Sequence, residues 1–178
     1  MTELSTSYQM RFRCRAVREL PRLLLLVSKQ AHCFEDVLYR WRCREFAAEV
    51  VGVASNHTDL EERTKWYDLP FYHLPDRRDS ESLYEKALTG LLQELSPDVV
   101  VLARYMQIIP EALCDAYAGR MINIHHGFLP SVVGAKPYHQ AYEKGVKLIG
   151  ATSHYVTSDL DQGPIIDQAV TRISHRHS

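Results

Sequence analysis

Short runs of consecutive apolar residues alternate along the chain with segments whose apolar residues recur every three or four positions. Arg22–Ser28 reads RLLLLVS, the pattern of a strand buried on both faces. Phe34, Val37, Leu38 and Trp41 then fall at i, i+3, i+4 and i+7, one face of a helix. Glu49–Ala54 (EVVGVA) is a second buried strand. Thr58 and Glu61 have the spacing of a capping box, which predicts a short helix from there until Pro70 stops it. Tyr84, Leu88, Leu91, Leu92 and Leu95 form the stripe of a longer helix, closed by Ser96-Pro97. Asp98–Ala103 (DVVVLA) is a third buried strand, Pro110–Tyr117 a helix, and Met121–His125 a strand. Pro137–Lys144 follows as a helix with proline at its first position. Leu148–Val156 and Pro164–Ile173 read as two strands with no helix between them.

This alternation predicts an α/β fold: an open, mostly parallel, Rossmann-like sheet with helices on both faces. The last strands lack a crossover helix and are expected to be antiparallel. In open sheets of this kind ligands sit beyond the carboxyl ends of the strands. The first such turn, Lys29-Gln30-Ala31-His32-Cys33, contains no glycine. A phosphate loop needs glycines for close backbone approach, so a dinucleotide, ATP or GTP site there is not expected.

Composition narrows the picture only slightly. The 178 residues are 46% hydrophobic and 24% charged, ordinary for one globular domain. A net charge of −1 without a basic stripe gives no reason to expect nucleic acid. Leu23–Val27 is far too short to span a bilayer. Cys14, Cys33, Cys43 and Cys114 form no C-x-x-C pair, which fits unpaired thiols in a reducing cytoplasm. Arg11, Arg13, Arg15 and Arg18 give Met10–Arg18 a weak transit-peptide character. No long apolar run follows, so residues 1–20 read as a leader or interdomain linker remnant and 21–178 as the domain.

The candidate chemistry lies at the carboxyl edge. On a strand, Asn123 and His125 share one face while Ile122 and Ile124 point the other way. A polar pair there is either two satisfied residues at a strand end or part of a site. Glycine- and proline-rich loops follow, Gly127-Phe128-Leu129-Pro130 and Gly134-Ala135-Lys136-Pro137, of the kind that serves binding. The loop Thr157–Pro164 brings Asp159 and Asp161 within reach. Asn can donate to a developing oxyanion, His can carry protons, and a carboxylate can support the His and hold a water. No G-x-S-x-G elbow is present, which favours direct attack by water or a second substrate.

The stretch MINIHHGFLP, continuing through GAKPYHQAYEKGVKLIGATSHYVTSDLDQGPI, resembles the folate-dependent formyl-group enzymes. Among these it resembles most the formyltetrahydrofolate deformylases, as does LLVSKQAHCFEDVLYRW near the start. The resemblance runs from about Leu20 to His175, and the N-I-H plus L-D-x-G-P pair is specific. It implies a formyltransferase-like fold with Asn123, His125 and Asp161 as the catalytic set, Asp159 ranking behind Asp161. It also implies a pterin site along Met106, Gln107, Ile108 and Ile109, with Ser158, Leu160 and Gln162 opposite. The implied reaction is hydrolysis of 10-formyltetrahydrofolate to formate and tetrahydrofolate, serving one-carbon metabolism and purine biosynthesis. No cofactor beyond that folate is implied, no metal, no nucleic acid and no membrane; a homo-oligomer is compatible with it.

Two other readings stand beside this one. Glycinamide ribonucleotide formyltransferases resemble the chain in the Asn/His/Asp set but hold a phosphate on a glycine-rich first turn, which is missing here. Methionyl-tRNA formyltransferases would need an RNA-binding extension and a basic surface. A folate-binding remnant without useful catalysis is the alternative outside enzymes. The family usually carries an N-terminal ACT-type domain and continues past the last strand, so an incomplete C-terminus with an uncovered apolar sheet face is expected here. Nine histidines invite a zinc site from His125, His126, His139 and His154, but no H-E-x-x-H spacing exists and His126 is expected to face away from His125. His32 and Cys33 read either as cleft lining or as a helix-start pair. Lys136 and Tyr138 read as contacts to the folate glutamate tail or as loop caps.

Overall fold

The computed structural model describes residues 19–130 and 137–174. Lys136 and the proposed leader up to residue 18 lie outside them. Seven strands form one sheet: β1 (Arg22–Val27), β2 (Glu49–Ser55), β3 (Phe71–His73), β4 (Val99–Ala103), β5 (Met121–His125), β6 (Leu148–Tyr155) and β7 (Ile165–Arg172). Their spatial order is β3-β2-β1-β4-β5-β6-β7. β1 to β5 run parallel, and β6 and β7 are antiparallel to their neighbours. The helices are α1 (His32–Arg42), α2 (Glu61–Trp66), α3 (Glu81–Leu95), α4 (Glu111–Ala116) and α5 (Pro137–Glu143).

The continuous apolar strands are what two-sided burial requires. On β1, Leu24 and Leu26 point into a core with Tyr84, Leu88, Leu91 and Leu92 of α3 and Leu113 of α4. Leu23, Leu25 and Val27 point into the opposite core, with Phe34 and Leu38 of α1 and Leu60, Tyr67 and Leu69 around α2. Each of Leu24, Leu25 and Leu26 is fully buried. At roughly 1.5–3 kcal/mol per buried aliphatic side chain, these two layers dominate the stability of the scaffold.

Two local expectations are corrected. Thr58 and Glu61 do not form a capping box. Leu60 occupies the cap position, Glu61 is already the first helical residue, and the Glu61 backbone N–H donates to the Thr58 carbonyl at 3.0 Å. A side-chain cap is instead found at α3, where Ser80 Oγ accepts from Leu83 N–H at 3.4 Å. The three-residue strand β3, directly after Pro70, is also absent from the sequence reading. It pairs only Phe71–His73 with Val53–Ser55, too few residues to show a period. β7, at the other edge, leaves Ile165, Ile166 and Val170 about half exposed.

Candidate functional site

Beyond the carboxyl ends of β4 and β5 lies a cavity of about 590 Å³. The segment after β4 forms one wall and the β6–β7 loop the other, with the start of the loop after β5 and part of α5 between them. Asn123, His125 and Asp161 all line it, as do Met106, Gln107, Ile108, Ile109, Ser158 and Leu160. Gln162 and Asp159 are exposed and lie off the wall. Asp161 has a left-handed backbone (φ 56°), and the turn made there carries Gln162 outward.

Each wall is anchored by buried polar contacts. Met106 N–H donates to Ser28 Oγ at 3.0 Å, and Ser28 Oγ donates to Asn56 Oδ1 at 3.4 Å. Gln107 Oε1 accepts from Arg77 N–H at 3.1 Å. The segment expected to receive the pterin is thereby fixed to the ends of β1 and β2 and to the loop ahead of α3. Thr152 ties the loop after β5 to β6: its hydroxyl donates to the Gly127 carbonyl at 2.9 Å and accepts from Leu129 N–H at 3.1 Å. The β6–β7 loop closes on itself at Gly163. A Cβ there would sit 1.7 Å from the Tyr155 carbonyl oxygen, so only glycine permits the approach that seats Asp161.

The candidate side chains form a continuous line. Asp161 Oδ2 is 3.3 Å from His125 Nδ1, and its Oδ1 is 3.7 Å from His154 Nε2. His154 Nε2 is in turn 3.2 Å from Asn123 Nδ2. The side chains of Asp161, His125 and His154, which make these two contacts, are at least nine-tenths buried. His154 Nδ1 lies 2.9 Å from the Tyr155 carbonyl. A carbonyl only accepts, so this contact places the proton on Nδ1 and leaves Nε2 as an acceptor in the neutral ring. The Asn123 amide then donates one hydrogen to His154 and retains its second for a ligand oxygen.

His154 is the member that the sequence reading missed, having considered it only for zinc. The signal is cross-strand: Asn123 and His154 are direct partners in the β5–β6 register, and register is not visible in either strand alone. His126 is corrected too. It follows the strand end rather than continuing it, lines the cavity, and its ring lies 5.6 Å from that of His125 and 5.9 Å from that of Tyr138. Burial pushes its pKa down to about 4, with the positive charges of Arg104 and His125 acting in the same direction. His126 is therefore a neutral ring at ordinary pH. His32 and Cys33 begin α1 rather than line the cavity, and burial raises the Cys33 thiol. Among the described residues no group of three His, Cys, Asp or Glu side chains is arranged to hold a metal ion. No described helix is long and apolar enough to cross a membrane.

An asparagine amide, two imidazoles and a carboxylate around one cavity suit addition of water to an acyl carbon and proton transfer to the departing nitrogen. Comparison with known proteins points the same way. A family model described as "Formyl transferase" matches residues 21–178. The chain is 45% identical over 176 residues to a curated formyltetrahydrofolate deformylase of Corynebacterium sp., covering 99% of this chain and 62% of that protein. It thus spans less than two thirds of that relative's length. A crystal structure of a formyltetrahydrofolate deformylase from Pseudomonas syringae pv. tomato superposes with a TM-score of 0.96 at 48% identity, covering 99% of this chain and 59% of the other. A glycinamide ribonucleotide transformylase 1 from Symbiobacterium toebii is more distant, with a TM-score of 0.83 at 30% identity over 89% of this chain and 76% of the other.

Proposed function

From the premise that this chain belongs to the formyl transferase family, matched over residues 21–178, we propose that it hydrolyses 10-formyltetrahydrofolate. Residues 21–178 are the catalytic domain in this reading, and 1–20 a leader or linker. The observation that carries it is the contact line from Asn123 through His154 and Asp161 to His125 on one cavity wall. Resemblance at 45% identity to a formyltetrahydrofolate deformylase supports water as the acceptor.

The pterin lies between Met106–Ile109 and the Ser158–Leu160 segment, an apolar slot with backbone donors and acceptors. Asp161 and His125 hold a water and take one of its protons as its oxygen bonds to the formyl carbon. The amide hydrogen of Asn123 and a protonated His125 stabilise the tetrahedral oxyanion. The C–N10 bond then breaks, N10 receives a proton, and tetrahydrofolate and formate depart. The reaction calls on no cofactor beyond the folate. Cys33, Cys43 and Cys114 are free thiols, which supports a reducing cytoplasmic setting.

Removing one oxyanion donor typically costs about 100- to 1,000-fold in rate. Asn123→Ala is expected to lower kcat by about that factor with folate binding nearly intact, and Asp161→Asn to be at least as damaging. Single-turnover formate release paired with equilibrium folate titration measures both. A near-wild-type rate in either variant removes that residue from the chemistry.

A further inference from the structure

Of the described residues that line the cavity, Arg104 is the only one with a permanent positive charge. It follows β4 by one residue. β4 is the strand on which the winding of the sheet reverses, since β2 and β3 lie on one side of β1 and β4 and β5 on the other. Ligands gather at such a reversal. Two features of Arg104 are costly. Its backbone is left-handed (φ 62°), a conformation that side-chain-bearing residues rarely adopt. Its Nε is buried without a hydrogen-bond partner, and none of the ion pairs formed among the described residues includes it. A buried cationic donor left in this state is unfavourable unless a ligand completes it. Its field reaches His126, beside His125.

We propose that Arg104 is the anion-binding group of this cavity, receiving the one-carbon carboxylate that hydrolysis generates. The inference rests on the hydrolytic reading and deepens it. When water adds to the formyl carbon and the C–N10 bond breaks, one water proton ends on N10 and the other is lost as formic acid ionises. The product is formate, an anion. Transfer of the same formyl group to an amine gives a neutral formamide and has no use for a fixed cation there. A guanidinium at this position is thus a feature that the hydrolytic outcome uses and the transfer outcome does not. The glutamate carboxylates of the folate are the other carboxylate source. Arg104 lies two residues beyond Leu102, the β4 partner of Asn123, as His125 lies two beyond Asn123; that level in the cavity, rather than the exposed rim with Met106 and Tyr138, favours the one-carbon product.

The test is titration of [13C]formate into the protein, read by line broadening, for the unaltered chain, Arg104→Gln and Arg104→Lys. Tetrahydrofolate and tetrahydropteroate affinities are measured in parallel. Loss of a charge-assisted contact predicts formate binding weakened by about tenfold or more in Arg104→Gln, largely kept in Arg104→Lys, with both pteridines bound as before. Arg104→Gly, which suits the left-handed backbone, serves the same purpose if the glutamine variant does not fold. Unchanged formate affinity in the neutral variant, or no formate binding by the unaltered chain, overturns the proposal. So does a loss seen only for tetrahydrofolate and not for tetrahydropteroate, which assigns Arg104 to the glutamate tail. Because formate binding is read without turnover, a chain that binds formate through Arg104 yet releases none from substrate would sink the hydrolytic reading separately.

Discussion

At the scale of single residues, the site depends on which proton sits on which nitrogen. His154 donates from Nδ1 to the Tyr155 carbonyl and accepts at Nε2 from Asn123, so it fixes the orientation of the amide without itself needing to meet substrate. His154→Ala frees that amide to rotate. Loss of a hydrogen bond worth about 1 kcal/mol predicts a fall in kcat of about fivefold with KM little changed. Steady-state kinetics against His154→Gln, whose amide oxygen can accept, should show partial rescue; equal loss in both variants would mean a packing role only. His126 gives a pH signature. Its pKa is held near 4 against an ordinary value of 6.5, so as pH falls the unfolded chain takes up this proton first. Its contribution to stability is complete above about pH 6.5 and is lost progressively toward pH 4. Thermal melts of His126→Gln should therefore decline less steeply across that window than those of the unaltered chain. Parallel slopes would contradict the assignment. That Asn123, His125 and Asp161 would meet at one cavity was legible in the sequence, because strand alternation and a specific motif spacing point at them. The placement of His154 and Arg104 was not, because it arises from strand register and from a backbone conformation.

At the scale of elements, the strands that read most clearly are those buried on both faces. Met121–His125 is observed with the boundaries expected from its sequence, and β1 and β2 differ from expectation by one residue at their ends. Short or exposed pieces fail for a physical reason. β3 owes its existence to pairing with β2, and α2 begins where backbone geometry at Leu60 permits rather than where a side chain could cap it. The β6–β7 loop carries Asp161, the carboxylate of the proposed mechanism, in a left-handed conformation and closes through Gly163. Gly163→Ala forces its Cβ against the Tyr155 carbonyl. Overpacking of this kind costs about 1–3 kcal/mol, so the melting temperature should drop by several degrees and turnover should fall with the displacement of Asp161. Unimpaired turnover together with an unchanged melting temperature would show that the loop relaxes without moving the carboxylate.

At the scale of the whole molecule, one sheet order brings the described candidate residues to one edge. The reversal around β1 opens a crevice at the end of β4, parallel pairing of β4 with β5 aligns Leu102 with Asn123, and the antiparallel turn to β6 sets His154 opposite Asn123. The glycine-free turn after β1 runs directly into α1, and the nearby Ser28 and Asn56 are hydrogen-bonded to one another. Both features favour water over a phosphate-bearing amine as acceptor. The measurement that decides this most directly is a product assay on the purified protein supplied with 10-formyltetrahydrofolate, with and without glycinamide ribonucleotide. Formate and tetrahydrofolate appearing in equal amounts, at a rate indifferent to the amine, is the predicted result. Formyl transfer to glycinamide ribonucleotide, or folate binding with no formate released, would contradict it.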